Sequence, residues 1–164
     1  MKNVLKALAL VAALATAGTA SATVDSVSPG YGYTYNSITY SHHALGASSS
    51  ATLDIYAYDI DYSSGERDLI EAFDAATSSW LTVGYLTGAN NTYSTTSFNL
   101  AAGLLDDVAT GLSVRVSPNS GWAVQTITST LTTTAAVPEG DTYALFAAGL
   151  GVLGWIGRRR KTQA

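Results

Sequence analysis

The chain of 164 residues contains no cysteine, which excludes disulfides, thiolate nucleophiles and zinc held by thiolates. Its stability must come from packing. Basic residues are almost as scarce in the central part: between Thr23 and Pro138 only Arg67 and Arg115 face ten acids, Asp25, Asp54, Asp59, Asp61, Glu66, Asp68, Glu71, Asp74, Asp106 and Asp107. Two bases against ten acids leave that stretch at −8. A field of this sign repels phosphate backbones and anionic lipid, so it argues against nucleic acid as a partner and leaves divalent cations and neutral sugars open. Helix signals almost vanish after residue 22, and no repeat of fixed period runs through the chain.

The remaining bases cluster at the two ends. Lys2 and Lys6 precede an apolar run, Ala7 to Ala17, and the small residues Ala20-Ser21-Ala22. A charged start, a short apolar segment and a small-residue cleavage site together predict a secretory signal peptide over residues 1–22. At the other end Pro138 and Glu139 open a segment whose apolar run, Tyr143 to Gly157, stops at Arg158, Arg159, Arg160 and Lys161. As a helix that run would be about 22 Å long, against about 30 Å of bilayer hydrocarbon. Snorkelling by Arg158 and local thinning of the bilayer make a transient span feasible. The four cations would hold that end in the cytoplasm, with the preceding domain outside.

This tail resembles the PEP-CTERM sorting signal: a Pro-Glu-Pro motif, a short hydrophobic helix and an Arg-rich end. Pro138 and Glu139 match the first two motif residues, and Gly140 stands where the family usually has proline. The resemblance implies a substrate of an exosortase, a membrane-embedded transpeptidase of bacteria that make exopolysaccharide. It also implies an inner-membrane intermediate, anchored by the C-terminal helix, on the way to the cell surface or extracellular matrix. These implications concern destination, not the work of the domain.

Between the two signals the residue types change to Tyr, Thr, Ser, Val and Gly, which are those of strands and turns. Strands are predicted around Tyr31-Tyr33-Tyr35, with Ile38 and Tyr40 on the opposite face, and over Ala51–Ile60, Asp68–Phe73, Trp80–Leu86, Tyr93–Leu100, Leu112–Ser117 and Trp122–Leu131. A helical turn is expected over Leu104–Ala109, and Trp80 and Trp122 are expected as core anchors. About eight short strands at intervals of roughly 8–12 residues predict an all-β fold, an antiparallel β-sandwich or jelly roll. The expected domain covers residues 23–130, a linker 131–137 follows in the small polar run from Ser129 to Ala136, and the sorting signal covers 138–161. The segments YDIDYSSGERD, LTGANNTYSTTSFNL, LSVRV and GWAV are similar to a β-sandwich module found ahead of PEP-CTERM tails, which implies the same fold.

The densest polar group is Asp59, Asp61, Ser63, Gly65, Glu66 and Asp68. Alternate carboxylates entering a glycine turn can supply the oxygen ligands that Ca²⁺ takes, so Asp59, Asp61, Glu66 and Asp68 are candidate metal ligands. The order is not that of an EF-hand, since Gly65 falls one place late and Ile70 stands where a bidentate Glu belongs. An acidic surface turn is the commoner use of such a run. The same acids would be the pair required by the alternative reading, a secreted polysaccharide hydrolase. Adjacent His42 and His43 would point to opposite faces of an extended segment and could not chelate one metal. No G-x-S-x-G elbow is present, and Gly46-Ala-Ser48-Ser-Ser50 ends in Ser where Gly is required. Asp106-Asp107 suits a helix or turn cap. Alternating tyrosines are either a sugar-stacking platform or, more commonly, cross-strand packing. The chain is therefore expected to be a non-enzymatic envelope protein, structural, adhesive or carbohydrate-binding, with strand-end loops such as Asp59–Asp68 and Gly88–Thr92 as its ligand positions.

Overall fold

The computed structural model describes residues 21–30, 32–119, 121–135 and 148–152. The chain divides into two units, Ser21–Ala136 and a second one made of Met1–Ala20 with Val137–Ala164. Of the second unit only residues 148–152 are described, and they are helical, with Leu150 and Val152 exposed. They fall inside the expected hydrophobic helix. The signal-peptide residues 1–20, the motif Pro138, Glu139 and Gly140, and the membrane stop at Arg158, Arg159, Arg160 and Lys161 lie outside the described residues. Among those described, no helix is long and apolar enough to cross a membrane.

The first unit is built from eight strands: β1 Ala22–Val27, β2 Ile38–Ser41, β3 Ser48–Tyr58, β4 Leu69–Asp74, β5 Ser79–Tyr85, β6 Tyr93–Asn99, β7 Ser113–Ser117 and β8 Gln125–Ala135. They form two four-stranded sheets, β1-β8-β3-β6 and β2-β7-β4-β5, with every pairing antiparallel. The nested pairing of first with last, second with seventh, third with sixth and fourth with fifth is that of a jelly roll. One short helix, α1 Leu105–Thr110, precedes β7.

Alternation makes the core. Leu53, Ile55 and Ala57 of β3 point inward, as do Ile70 and Ala72 of β4 and Val114 and Val116 of β7, all of them buried. Their neighbours Asp54, Glu71 and Arg115 take the outer faces. In β8 the phase changes: a register shift opposite Tyr56 and Ala57 inserts an extra residue, so Thr126 and Ser129 both turn inward, followed by Leu131 and Thr133.

Four expectations need correction. The stretch expected as the linker is strand as far as Ala135, with Leu131 to Thr134 pairing both β1 and β3. Threonine is β-branched and suits a half-buried pleat, so a run that looks like a polar linker is here a central strand. The boundary drawn after residue 22 falls just inside β1, whose first pair is Ala22 with Thr134. Tyr33 and Tyr35 are not in a strand: beyond one bridge between Thr34 and Val124 the segment is irregular, because the Thr34 hydroxyl accepts from the Asn36 N–H at 3.0 Å and competes with ladder pairing. Neither Trp80 nor Trp122 belongs to the core, which is filled mostly by smaller aliphatic side chains together with Tyr40 and Phe98. Trp80 lies on the outer face with its ring 5.3 Å from Phe73 and under the Arg115 guanidinium at 4.4 Å, and Arg115 in turn bonds Glu71 at 2.7 Å.

Candidate functional site

The acidic run separates into two environments. Asp59 follows β3 with a left-handed backbone, φ 61°, and its carboxylate makes its bonds in an exposed setting. One oxygen accepts the backbone N–H of Asn91, itself left-handed at φ 54°, and the other accepts the Tyr33 hydroxyl at 3.4 Å. Asp and Asn tolerate this conformation better than other side chains, yet it still costs of order 1 kcal/mol each, and such residues cluster at ligand sites. Asp59 therefore does not join the other three acids.

Beyond it the chain makes a single 3₁₀ turn, Tyr62–Ser64, closed by Gly65 at φ 102°, where a side chain would be strained. This turn folds Glu66 back so that its carboxylate accepts the Asp61 N–H. Glu66 and Asp68 are both fully enclosed, at 0% exposure. The Asp68 carboxylate accepts the Asn119 N–H at 3.3 Å. Burial pushes the Glu66 carboxyl up to about 8, with the neighbouring Asp68 carboxylate adding to it, and burial raises Asp68 as well. Two acids sealed from solvent cannot reach a glycosidic bond, and the Asp59 carboxylate is engaged by the Asn91 N–H and the Tyr33 hydroxyl. Among the described residues no group of three or more His, Cys, Asp or Glu side chains forms a ready metal cage.

Beside Asp59 lies a surface that the sequence only half announces. Tyr56 and Tyr58 leave β3 on the outer side, Tyr93 opens β6 directly opposite Tyr58, and Tyr33 reaches over from the loop before β2. Tyr56 stacks on Tyr93 at 5.5 Å with planes 18° apart, Tyr58 meets Tyr93 at 4.7 Å, and Tyr33 meets Tyr58 edge-on at 6.0 Å. These rings are not core: Tyr33 is 52%, Tyr56 38% and Tyr93 60% exposed. Tyr58 hydroxyl donates to the Asn91 side-chain oxygen at 3.5 Å, so the amide is fixed at the edge of the aromatic patch. Desolvation by its neighbours, then the Asp59 charge, pushes the Tyr33 phenol up to about 12. The site thus presents apolar ring faces, phenol hydroxyls, a carboxylate and an amide together.

A third constellation escaped the sequence altogether. The His42 ring bonds Asp25 through Nδ1 at 2.9 Å and the Ser129 hydroxyl through Nε2 at 2.9 Å. His43 bonds the other oxygen of Asp25 at 3.0 Å, and its N–H donates to the same carboxylate. Both histidines thus converge on one group instead of diverging, because residues 42–47 form a loop after β2 rather than a continued strand. The order Ser–His–Asp is that of a hydrolytic triad, but Ser129 is 0% and His42 2% exposed. A nucleophile in that position cannot meet a substrate. The network instead ties β1, the loop after β2 and β8 together. No residue-type motif could have revealed it, since Ser129 sits in a run of similar Ser and Thr residues.

Asp107 does act as a turn partner, accepting the Ala75 N–H at 3.2 Å across to the β4–β5 turn. That turn is held from its own side by Asp74, which accepts from Ala76, Thr77 and the Thr77 hydroxyl.

The chain matches no protein family and no curated protein. Among solved structures it is similar to the β-porphyranase of glycoside hydrolase family 86 from the human gut bacterium Bacteroides plebeius, at 10% identity and a TM-score of 0.45 over 71% of this chain and 21% of that one. The chain spans about a fifth of that protein's length.

Proposed function

We propose that this is an exported envelope or extracellular-matrix protein that binds exopolysaccharide through the face formed by Tyr33, Tyr56, Tyr58 and Tyr93, in an adhesive or structural role and without catalysis. In this reading an exosortase recognises Pro138, Glu139 and Gly140 while the segment before Arg158 to Lys161 is held in the inner membrane, and the β-sandwich is then released to the surface. The observation that carries the binding role is the exposed tyrosine cluster. Sugars present flat patches of C–H bonds rimmed by hydroxyls, and a tyrosine offers the complementary apolar face with a polar tip. The patch supplies several such faces, with Asp59 and Asn91 positioned at its margin to orient hydroxyl groups. A strongly acidic exterior favours neutral glycans over anionic ones.

The hydrolase alternative gains no support from the acidic run, because Glu66 and Asp68 are enclosed and Asp59 is engaged. Glycan-array binding by the full chain, together with a reducing-end assay on the same glycans, tests the proposal. Binding without release of reducing ends is expected; release of reducing ends, or no binding to any glycan, would overturn it. Mass spectrometry of the exported protein tests the sorting step: a new C-terminus between Pro138 and Asp141 is expected, whereas an intact chain to Ala164 contradicts processing.

A further inference from the structure

The outer face of the first sheet continues the tyrosine cluster along β3, because Asp54, Tyr56 and Tyr58 alternate onto one side of the strand. Register fixes what surrounds them. Asp54 lies between Thr130 of β8 and Ser97 of β6, Tyr56 lies between Thr128 and Thr95, and Tyr58 is opposite Tyr93. The cross-strand neighbours of Asp54 are thus hydroxyls. Aspartate is depleted from strands, where an opposite charge on the neighbouring strand is what offsets it. Among the described residues no such charge is supplied: the ion pairs join Asp25 to His42 and His43, and Glu71 to Arg115 on the second sheet, while Arg67 donates to the carbonyls of Tyr62 and Glu66. Asp59 stands at the other end of the row, just past Tyr58, with donors from Asn91 and Tyr33 but no cation. Two carboxylates therefore bracket Tyr56 and Tyr58 along β3, within a stretch that carries −8.

We infer that this face selects glycan chains bearing free amino groups, with ammonium groups meeting Asp54 and Asp59 while the sugar rings lie against Tyr56, Tyr58 and Tyr93. The inference rests on the tyrosine-face reading and narrows it from sugars in general to amino sugars. Charge decides the class: a protonated amine gains from each carboxylate and from the negative faces of neighbouring phenol rings, whereas an N-acetylated unit on the same backbone carries no charge to gain with. Geometry decides the length. At about 3.3 Å per residue, Asp54 lies roughly 13 Å from Tyr58 along the strand, farther than one sugar ring reaches, so only several linked units engage both ends. The hydroxyls of Thr95, Ser97 and Thr130 flank the path between them and suit sugar hydroxyls as donors and acceptors. A surface of one sign also draws a polycation in from a distance, an attraction that added salt screens.

The test is calorimetric titration of the full chain at pH 6 and low salt with three hexamers of one linkage: glucosamine with free amines, the same units N-acetylated, and glucose. The aminated hexamer should bind about tenfold tighter than either of the others, by a margin that shrinks as NaCl is added. Glucosamine monomer should bind about tenfold more weakly than its hexamer, since it reaches one end of the row only. Asp54→Asn should cut the margin about fivefold by removing one of the two charges. Ser97→Lys, which sets a cation on the exposed cross-strand neighbour of Asp54, should cut it similarly and serves if the first variant does not fold. The inference is overturned if the N-acetylated or the glucose hexamer binds as tightly as the aminated one, a result that leaves the tyrosine face as a site for neutral glycans. It is equally overturned if the aminated hexamer does not bind, or if both variants keep the full margin. An aminated hexamer held with wild-type affinity by Tyr56→Ala and Tyr93→Ala chains would reduce the effect to general attraction by an acidic surface, and would remove the tyrosine reading with it.

Discussion

Asp59 and Asn91, 32 residues apart, both hold left-handed backbone and are joined by the Asn91 N–H donating to the Asp59 carboxylate. The bond fastens the end of β3 to the turn before β6 and is backed by the Asp59 N–H donating to the Thr92 carbonyl at 2.9 Å. Removing the carboxylate frees Asn91 and Tyr33 at once. Asp59→Ala is expected to lower stability by about 1–2 kcal/mol in urea unfolding and to weaken glycan binding, through lost order rather than lost contact area. A variant with wild-type stability and wild-type binding would show that this bond does not organise the site.

The His42 network makes stability depend on pH. Burial holds the His42 imidazole below its ordinary 6.5, outweighing the attraction of Asp25, so the folded chain keeps this ring neutral. The groups around it are Asp25 from β1, His43, the Ser129 hydroxyl from β8 and the Tyr40 ring 5.9 Å away. As pH falls through 6.5 the unfolded chain takes up a proton that the folded chain refuses, so stability drops below that point and is fully present above it. Asp25, whose carboxyl is held below 3.8 by bonds from both histidines despite the opposing effect of desolvation, adds a second loss at stronger acid. Urea unfolding from pH 7.5 to 5 should show decreasing stability in the wild type and a flatter profile in His42→Gln. An unchanged profile in the variant would place the titration elsewhere.

Gly88 has no room for a side chain. A Cβ there would lie 2.5 Å from Ser94 Oγ and 2.9 Å from Ile60 Cβ. Ile60 is fully buried and cannot give way cheaply. Gly88→Ala should cost about 1–3 kcal/mol as measured by urea unfolding. At Gly84 the nearest atom is Phe98 Cε1 at 2.7 Å, the edge of a ring that can tilt, so Gly84→Ala should cost less. The reverse order would contradict this packing account.

Arg115 is the hinge of the outer face of the second sheet, bonded to Glu71 and stacked on Trp80. Because it is partly enclosed and engages two partners with a planar guanidinium, Arg115→Lys should lose about 1 kcal/mol even though the charge is kept. Thermal unfolding of the two chains decides it; equal midpoints would mean that the stack adds nothing.

Much of the sandwich could be read from alternation alone. β3, β4 and β7 carry apolar residues at every second place, and the turn at Asp61–Gly65 is written in its acids and glycine. β8 is not legible beyond Leu131 because its inner position there is Thr133, a polar residue in a run of threonines whose burial depends on partners from distant strands. The tyrosine face is hard to read for a similar reason: Tyr56, Tyr58 and Tyr93 meet only through strand pairing, and the sequence draws attention to Tyr31-Tyr33-Tyr35 instead, of which Tyr33 joins the cluster. The acidic run was visible, but its division between a part-exposed Asp59 and enclosed Glu66 and Asp68 comes from the left-handed backbone at Asp59, which nothing in the local composition dictates.

Calorimetric titration of exopolysaccharide from the producing cells into the wild-type chain and into Tyr56→Ala and Tyr93→Ala chains bears most directly on the tyrosine face. Both substitutions remove exposed rings, so their thermal midpoints should stay near that of the wild type. Affinity should fall about tenfold for each, a loss of about 1.4 kcal/mol. Wild-type affinity in both variants, at unchanged stability, would contradict the assignment of this face as the polysaccharide site.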